Sequence, residues 1–570
     1  MSINEGKPIV YTLTAKCRDC YRCVRKCPVK AIAVKDGQAY IDEKRCIYCG
    51  TCTKEGPQSA KTYRQDHLSV KDAIEAGKKV ICSIAPSFAG AYSAKQSARI
   101  PSVLRLLGFS SVYETSEGAL HVAGATADYI KGKGGCQFCT ACPTVVNFAE
   151  KYCPEKLENL VPIVSPMIAH GKLLREKYGD EAVTVFIGPC IAKKHEAERE
   201  EYAGIIDYAI TFEELDHWMA TDGVDFKNCE ESHFDSVDAS GKARRFPLPG
   251  GLFKTAEKAM NESDGEFLST SGSGSMFGIF EIEDNHDELL VIDHLFCSEG
   301  CINGPGIARG KSLFERRRNL VSYAKTYEAE AIDDFEQYSD LGTVFTDREI
   351  IDGRTITEND INEVLELTGK RDQEAQLNCG ACGYTSCIEM AKAVIKGLAE
   401  ADMCMPYMRR MAEQRSDKII ETSPNGIVLL DDELRIISMN PAFKKLFMCT
   451  DSIAGRRISY LVDSAGYEKL AIGTIERFET VIVYNSKVYH QLIYALRGEK
   501  QLVGIYTDIT KLRMDEEKMN AIRTKGLEQA KTLLDHQIRM AQDMAKFLGE
   551  NTARGEELVR RLLSTYENEN

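Results

Sequence analysis

Cysteine spacing is the feature of this sequence that most directly predicts chemistry. The 570 residues include 21 cysteines, many of them in short regular runs. The first residues, MSINEGKPIVYTLTAKC, lack the basic start and long apolar core of a secretory signal, so we expect a cytoplasmic protein with reduced thiols. In that setting so many cysteines indicate metal ligands rather than disulfides.

Two cysteine runs lie near the N-terminus. The first has the form C-x2-C-x2-C-x3-C-P, which is typical of bacterial two-cluster ferredoxins, where the fourth cysteine of one run ligates the cluster of the other. The second run repeats the first three positions. The cysteines of both runs are Cys17, Cys20, Cys23, Cys27, Cys46, Cys49 and Cys52. By that rule Cys27 completes a [4Fe-4S] cluster with the second run.

The other N-terminal cluster lacks its fourth cysteine, because that position is Gly56. Cys17, Cys20 and Cys23 therefore predict a three-thiolate site, which suits a [3Fe-4S] cluster or a cluster with one non-cysteine ligand. A zinc site is the alternative for the whole segment. We assign residues 1–70 to a ferredoxin-like module.

Residues 75–325 predict an α/β domain, because apolar runs of strand length alternate with helical periodicity. The clearest strands are Lys79–Ala85, Ala182–Pro189, Asp207–Thr211 and Leu289–Phe296. Parallel strands bind ligands beyond their carboxyl ends. Pro86 and Ser87 follow the first of these strands, Cys190 the second and Cys297 the last.

Three motifs in this domain carry a family resemblance. They are T-A-C-P at 140–143, G-P-C-I-A-K-K-H-E at 188–196 and C-x3-C-I-N-G at 297–304. With the N-terminal module they resemble the [FeFe]-hydrogenases over roughly residues 10–320. The resemblance implies an H-cluster, in which a [4Fe-4S] cubane is joined through one cysteine to a di-iron unit carrying CO and CN ligands.

The resemblance also implies a role for each motif residue. It assigns the cubane to four cysteines, the last of which bridges to the di-iron unit: Cys142, Cys190, Cys297 and Cys301. Lys193 would donate to one cyanide, and Pro86 and Ser87 would hold the other. The alternative, known from non-hydrogenase relatives of this fold, is that the four cysteines hold a cubane only.

One departure from the catalytic pattern predicts slow turnover. Catalytic members usually have a proton-passing cysteine beside the first ligand, and here that residue is Ala141. A methyl group cannot relay a proton. We therefore expect a hydrogenase that binds H2 and oxidises it slowly and reversibly to two protons and two electrons. A substitute proton route through Cys139 or Cys82 would instead favour an ordinary hydrogenase that exchanges electrons with ferredoxin.

Residues 330–412 combine a linker with a second kind of cysteine motif, C-x2-C-x4-C-x16-C. Its members are Cys379, Cys382, Cys387 and Cys404. The motif resembles the small [4Fe-4S] domains found beside electron-transfer proteins, and zinc is again the alternative.

The remaining sequence predicts a sensory module and a helix. Residues 416–512 resemble an α+β PAS domain, with N-P-A-F at 440–443 beginning a helix and T-D-I-T-K at 507–511 ending the domain. Residues 513–570 predict an amphipathic helix whose narrow apolar stripe favours a coiled coil and a homodimer. The stripe is Leu527, Ala530, Leu534, Ile538, Ala541, Ala545 and Leu548.

This architecture resembles that of the sensory branch of the family. It implies that a hydrogen signal passes through the clusters and the PAS domain to a kinase or phosphatase, since no effector domain is recognisable. A cubane-only electron-transfer or redox-sensing scaffold is a further alternative. A net charge of −14 argues against nucleic-acid binding, and no apolar run approaches the ~18 residues that span a membrane.

Overall fold

A computed structural model describes residues 7–235, 241–283, 288–308, 310–326, 340–350, 355–496, 500–510 and 528–540. The chain divides into two compact units, one up to Met405 and one from Pro406. None of the helices within these ranges is long and apolar enough to cross a membrane.

The N-terminal module consists of two short antiparallel ribbons and two one-turn helices. Its elements are β1 (Val10–Thr12), α1 (Arg22–Lys26), β2 (Ile32–Lys35), β3 (Gln38–Ile41), α2 (Thr51–Glu55) and β4 (Lys61–Tyr63). Strand β1 pairs with β4, and β2 pairs with β3. Each helix directly follows the loop of one cysteine run, so the two halves of the module have the same order of elements.

The central domain contains two separate parallel sheets. Its first half comprises α3 (His67–Glu75), β5 (Val80–Ile84), α4 (Phe88–Ala91), α5 (Ala94–Ser97), α6 (Ile100–Leu106), β6 (Ser111–Glu114), α7 (Ser116–Ile130), β7 (Gly135–Phe138) and α8 (Pro143–Tyr152). Its second half comprises α9 (Pro166–Tyr178), β8 (Val183–Gly188), α10 (Ala192–Ala197), β9 (Tyr208–Thr211), α11 (Phe212–Asp222), α12 (Gly251–Thr255), α13 (Glu257–Asn261), β10 (Gly265–Ser271), α14 (Ser273–Phe280), β11 (Leu289–Leu295) and α15 (Leu313–Thr326). The sheet orders are β6-β5-β8-β9 and β10-β11-β7.

The predicted strands agree with the structure, since β5, β8, β9 and β11 lie inside the four apolar runs. The division into two sheets was not predicted. Strand β11 pairs in parallel with β7 and β10 instead of joining the first sheet. The carboxyl ends of β5, β8 and β11 nevertheless lead to one site.

The small cysteine domain packs on the N-terminal module within the first unit. Its helices are α16 (Glu358–Leu367) and α17 (Cys387–Ile395). One apolar core joins it to its neighbours, with Val24 from α1, Phe148 from α8 and Met390 from α17. The helix α18 (Met405–Thr422) begins directly after Cys404.

The second unit contains a five-stranded antiparallel sheet. Its elements are β12 (Gly426–Leu430), β13 (Ile436–Met439), α19 (Pro441–Leu446), α20 (Ala465–Ala471), β14 (Arg477–Tyr484), β15 (Lys487–Leu496) and β16 (Gln501–Asp508). The strand order is β13-β12-β16-β15-β14. Asn440 caps α19 as predicted, because its side chain accepts a hydrogen bond from the Phe443 backbone N–H.

The predicted apolar stripe of the last segment is only partly described. Residues 528–540 are helical. Leu527, Ala541, Ala545 and Leu548 lie outside the described residues, so the coiled coil stays a prediction.

Candidate metal centre

One cavity collects every residue that the sequence predicted for the H-cluster. It has an empty volume of ≈ 850 Å³. The predicted residues that line it are Pro86, Ser87, Cys142, Cys190, Lys193, Cys297 and Cys301. They come from four chain segments, which explains why the sequence shows them only as scattered motifs.

Strand ends and tight loops bring the four cysteines together. Cys142 directly precedes α8, whose first residue is Pro143, and Cys190 follows β8. Cys297 follows β11, and Cys301 begins a short 3-10 helix that ends at Asn303. The next residue is Gly304, where a Cβ would lie 2.4 Å from the Pro189 carbonyl oxygen. Only glycine allows this loop to approach the Cys190 loop so closely.

Burial favours the protonated thiols of Cys190, Cys297 and Cys301 unless a cation is present. It raises the pKa of Cys190 to about 12, with a further increase from Cys142 and an opposing effect of Lys193. Burial likewise raises the pKa of Cys297 and Cys301, and in both cases the other cysteines of the set add to the increase. Iron would reverse this preference, because a bound cation stabilises thiolates.

The polar groups of the cavity fit an anionic ligand. Ser87 is fully buried, and its Oγ has no hydrogen-bond partner among the described residues. Lys193 Nζ donates to Ser165 Oγ at 2.7 Å and to Glu196 Oε2 at 2.6 Å. An ammonium has three N–H donors, so one is left for a ligand. The cyanides of the predicted di-iron unit would be acceptors of this kind.

Apart from Cys49, Thr115 and Thr144, the rest of the wall is apolar. Ala85, Ala141, Met167, Phe186 and Leu295 line it, and it receives no carboxylate from the part of the chain that is described. Met167 is a cavity residue that the sequence analysis missed, because it lies on α9 outside every motif. Its position could be inferred only from the packing of that helix.

The complete N-terminal cysteine set converges beside this cavity. Cys27, Cys46, Cys49 and Cys52 line a second cavity with an empty volume of ≈ 340 Å³. Cys49 also lines the first cavity. The helix α2 is tied to the Cys301 loop as well, since Lys54 Nζ donates to the Asn303 carbonyl at 2.9 Å. Two predicted centres therefore share a wall.

The three-thiolate set lies at the outer end of the module. Cys20 is exposed, and its Sγ donates to Gln58 Oε1 at 3.6 Å. Burial raises the pKa of Cys23, the Lys61 ammonium lowers it, and Cys20 and Cys17 raise it further. Lys61 is itself buried and donates to Thr12 Oγ1 and the Ala39 carbonyl, both at 2.6 Å.

Gly56 stands where the sequence rule expects the missing ligand. Its backbone angles are φ −71° and ψ 116°, against −70° and 116° for Cys27 at the end of the other helix. The two positions are thus equivalent in the module. This half differs from the other by one absent thiol.

The cysteines of the small domain also lie together. Burial raises the pKa of Cys382, and Cys404 and Cys379 add to the increase. Lys370 Nζ donates to Cys387 Sγ at 3.2 Å. A basic residue therefore faces this set from outside it.

The small domain is docked beside Cys27. Lys30 Nζ donates to the Gly383 carbonyl at 2.8 Å, and Arg25 donates to the Ala381 carbonyl at 3.1 Å. Both carbonyls belong to the loop that carries Cys382. Burial raises the pKa of Tyr384 to about 12, and charges on Cys382 and Cys27 contribute. This tyrosine therefore lies within electrostatic reach of both cysteine sets.

No group of three or more histidine, cysteine, aspartate or glutamate residues in the described ranges is arranged around a single metal ion. A cubane distributes its four cysteine ligands over four iron atoms, so its cysteines surround a larger space. We therefore assess the cysteine sets by the cavities and charges that they share.

Comparison with protein families identifies three regions. Residues 78–305 match the C-terminal domain of the iron only hydrogenase large subunit. Residues 375–406 match an Fe-S cluster family, and residues 414–480 match a PAS domain. The predicted resemblance to the [FeFe]-hydrogenases is confirmed, as are the small Fe–S domain and the PAS domain.

The curated relatives include hydrogenases and one other class. The chain is 27% identical to iron hydrogenase 1 of Clostridium pasteurianum over 51% of this chain and 63% of that one. It is 26% identical to the NADP-reducing hydrogenase subunit HndD of Solidesulfovibrio fructosivorans, over 54% and 66%. It therefore spans less than two thirds of these relatives. It is also 33% identical to the cytosolic Fe-S cluster assembly factor NAR1 of Kluyveromyces lactis, over 34% and 40%.

Among solved structures, a single-residue variant of [FeFe]-hydrogenase HydA1 from Chlamydomonas reinhardtii matches with a TM-score of 0.37 and 17% identity. The match covers 50% of this chain and all of that one.

Proposed function

From the membership of residues 78–305 in the C-terminal domain family of the iron only hydrogenase large subunit, we propose that this protein is a hydrogen-sensing [FeFe]-hydrogenase. It binds H2 at an H-cluster, oxidises it slowly and reversibly to two protons and two electrons, and signals through Fe–S clusters and the PAS domain. The observation that carries the proposal is one cavity that is lined by four half-buried cysteines, Lys193, Ser87 and Pro86.

Each lining residue has a defined task in this proposal. Cys142, Cys190, Cys297 and Cys301 hold the cubane, and Cys301 links it to the di-iron unit. Once bound, the di-iron unit supplies the site at which H2 is split. Lys193 and the Ser87 hydroxyl donate to its cyanides, Pro86 shapes the wall beside them, and the apolar wall limits the entry of water.

The proposed electron route is a row of neighbouring centres. Cys49 supports transfer from the H-cluster to the cluster of Cys27, Cys46, Cys49 and Cys52, because it borders both cavities. The [4Fe-4S] cluster at Cys379, Cys382, Cys387 and Cys404 follows beside Cys27. The three-thiolate site, with a [3Fe-4S] cluster or a non-cysteine ligand, offers an exchange point for a redox partner such as ferredoxin at its exposed Cys20.

Chain connectivity supports transmission to the PAS domain. Cys404 directly precedes α18, and α18 ends four residues before β12 begins. A change at the small cluster therefore acts on a residue covalently continuous with this helix. We propose that the second unit and its helix pass the change to a kinase or phosphatase.

The interior of the second unit favours a PAS domain without a cofactor. Phe443, Phe447, Tyr467 and Tyr506 fill its core, and the hydroxyls of Tyr467 and Tyr506 lie 2.8 Å apart. Homodimerisation is supported by β14, an edge strand of the sheet with an exposed Val483. We place the protein in the cytoplasm because its cysteine sets need reduced thiols.

An anaerobic infrared spectrum of the matured protein tests the proposal. We expect CO and cyanide bands that shift when argon is replaced by H2. The Lys193→Met variant should lose or perturb these bands, whereas Lys71→Met on the surface should keep them. Wild-type protein from a maturation-competent cell with no such bands would refute the proposal.

A cubane-only electron-transfer scaffold is the second candidate. The similarity to NAR1, whose name is that of an Fe-S cluster assembly factor, favours it. This candidate requires iron in the cubane sites without CO or cyanide bands. Iron counting on the same samples shows whether the cubanes are loaded. A known hydrogenase matured in parallel shows whether the cell could supply the di-iron unit, so that failed maturation is recognised as such.

A further inference from the structure

The proposed function leaves the route of the proton undefined, because Ala141 interrupts the expected one. Burial raises the pKa of Cys82 and Cys139 well above that of an ordinary thiol. Neither thiol forms a hydrogen bond to a described residue. The sequence-based alternative through these two cysteines therefore has no support from the structure.

A different polar chain begins at the cavity wall. Thr115 lines the cavity, and its Oγ1 lies 2.7 Å from Ser83 Oγ. Ser83 Oγ lies 2.8 Å from His170 Nδ1. All three residues are buried, so the chain crosses the protein interior without contact with solvent.

The same chain continues to the surface. His170 Nε2 has no hydrogen bond of its own to the described residues and faces Glu117 Oε2 at 3.5 Å. The Glu117 side chain is 34% exposed. Burial raises its pKa, but His170 more than offsets that effect, so Glu117 keeps a pKa below its ordinary value and is an acceptor at neutral pH.

Packing between two helices holds this arrangement. Glu117 lies on α7 and His170 on α9. A Cβ at Gly118 would lie 2.4 Å from the Pro166 carbonyl and 2.7 Å from the His170 backbone nitrogen. Only glycine at this position lets α7 approach α9 closely enough for the carboxylate to face the imidazole.

Three other titratable groups lie around His170 and Glu117. His121 lies near Glu117 on α7, and Lys177 acts on Glu117 electrostatically. The rings of Tyr113 and His170 meet edge-on, with their centroids 6.1 Å apart. Burial lowers the pKa of His121, and Glu117 opposes this shift. Glu117 is thus the anionic group that faces His170 Nε2.

We propose that Thr115, Ser83, His170 and Glu117 form a proton relay between the cavity and solvent. The proposal rests on the proposed function. A proton from H2 reaches Thr115 Oγ1 as the Thr115 O–H proton passes to Ser83 Oγ, and the Ser83 proton passes to His170 Nδ1. The Nε2–H proton then moves to Glu117 Oε2 and from there to water.

Each passage moves one proton into the relay and one out, so two passages carry the two protons of H2, and its two electrons leave separately through the Fe–S clusters. Hydroxyl rotation and return of His170 to its Nε2–H tautomer reset the relay. Because His170 Nε2 and Glu117 Oε2 lie 3.5 Å apart, proton transfer from His170 to Glu117 requires a small side-chain movement. A slow relay of this kind agrees with a sensor.

The relay is tested with isosteric substitutions in the matured protein. Thr115→Val and Ser83→Ala remove relay hydroxyls, and Glu117→Gln removes the outer acceptor. The matched controls are Thr126→Val and Ser97→Ala, which alter buried hydroxyls elsewhere in the same domain. Thr115→Ser keeps the relay hydroxyl. The measurements are HD release under D2 in ordinary water and the rate at which the infrared bands respond to a pH jump.

We expect both rates to fall roughly tenfold or more in the three relay variants, because each removes a proton-transfer group. Both should remain near wild type in the controls and in Thr115→Ser. The positions of the infrared bands and the EPR spectra of the dithionite-reduced clusters should stay unchanged in all variants. This result would show that the variants are folded and carry their clusters.

A measurement on protein that lacks the di-iron unit completes the test. In protein lacking that unit, nitrogen NMR of labelled histidine should show His170 as the Nε2–H tautomer, and Ser83→Ala should change its tautomer balance. Relay variants that exchange and respond like their controls would overturn the relay. Wild-type protein without CO and cyanide bands, or without HD release, would instead contradict the proposed function.

Discussion

At the residue scale, the proposed slow turnover of this hydrogenase depends on the side chain at one position of the cavity wall. Ala141 lines the cavity directly beside Cys142. It contributes a methyl group where a thiol would offer a transferable proton. In the proposed enzyme, proton transfer would then depend on longer routes, and we expect hydrogen binding without fast turnover.

Restoring the thiol tests this explanation. We expect Ala141→Cys to raise hydrogen turnover roughly tenfold or more, because a positioned acid–base group lowers the barrier to proton transfer. Ala141→Val, which adds volume without a proton, should give no increase. Turnover measured with an artificial electron acceptor decides the point. An unchanged rate in a fully loaded Ala141→Cys protein would show that proton transfer at this position is not limiting.

A second residue-scale prediction concerns the incomplete N-terminal site. A Cβ at Gly56 would meet only the Cys52 carbonyl, at 3.3 Å, and the backbone there already matches that of Cys27. Gly56→Cys should therefore supply the fourth thiolate and add one iron atom per chain. The EPR signal of an oxidised three-iron cluster should be lost.

Gly56→Ala is the matched control, since it adds the Cβ without the sulfur, and it should retain the wild-type signal. If Gly56→Cys keeps both the iron content and the spectrum of the wild type, the fourth position is already occupied by a non-cysteine ligand. The carboxamide oxygen of Gln58, close to Cys20, would then be the first candidate.

At the element scale, α10 uses two adjacent lysines for different purposes. Lys193 lines the cavity and donates hydrogen bonds to Ser165 and Glu196. Lys194 is fully buried, and its Nζ lies 2.9 Å from both Asp66 and Glu214. Because Asp66 precedes α3 and Glu214 lies on α11, this lysine joins three segments of the domain. Removing one member of such a buried group leaves unpaired charges.

Lys194→Met should therefore lower the free energy of unfolding of the first unit by about 3–5 kcal/mol. Trp218, the only tryptophan, lies buried on α11 and reports its unfolding by fluorescence in urea. Lys71→Met is the control, because the ion pair between Lys71 and Asp222 lies at the surface. Its loss should change the urea concentration at the unfolding midpoint little. A midpoint for Lys194→Met equal to that of Lys71→Met would contradict the assignment.

The same group predicts a pH dependence. Burial raises the pKa of Glu214, but Lys194 and the other partners outweigh it, so the folded pKa lies below the ordinary value. Its stabilising effect is therefore present above the unfolded pKa and is lost as the pH falls through the folded one. Acidification should destabilise the wild type more steeply than Lys194→Met.

Local spacing allowed the cysteine sets and four strands to be predicted, because ligand runs and apolar runs are features of contiguous sequence. The relay residues could not be found in this way. Ser83, Thr115 and His170 lie in three separate elements, and their meeting depends on the close approach of α7 to α9 at Gly118. The cavity position of Met167 likewise depends on helix packing, for which the sequence has no periodic signal.

At the scale of the whole molecule, the proposed clusters form a branched path. Cys49 borders the H-cluster cavity, Cys27 lies beside the small Fe–S domain, and the exposed Cys20 marks the outer site. The Cys27 centre is thus the branch point. One branch leads to redox partners at the surface and the other to the last cysteine before α18.

Cutting only the second branch should separate hydrogen binding from signalling. Cys404→Ser removes one ligand of the small cluster, so H2 should still shift the infrared bands of the H-cluster. The difference in hydrogen–deuterium exchange between argon and H2, expected from residue 406 onward in the wild type, should disappear. Cys449→Ser, which alters a lone cysteine of the second unit, should keep that difference. Identical exchange in the wild type under both gases would contradict the coupling itself, whereas a persistent difference in Cys404→Ser would show that the signal reaches the PAS domain by another path.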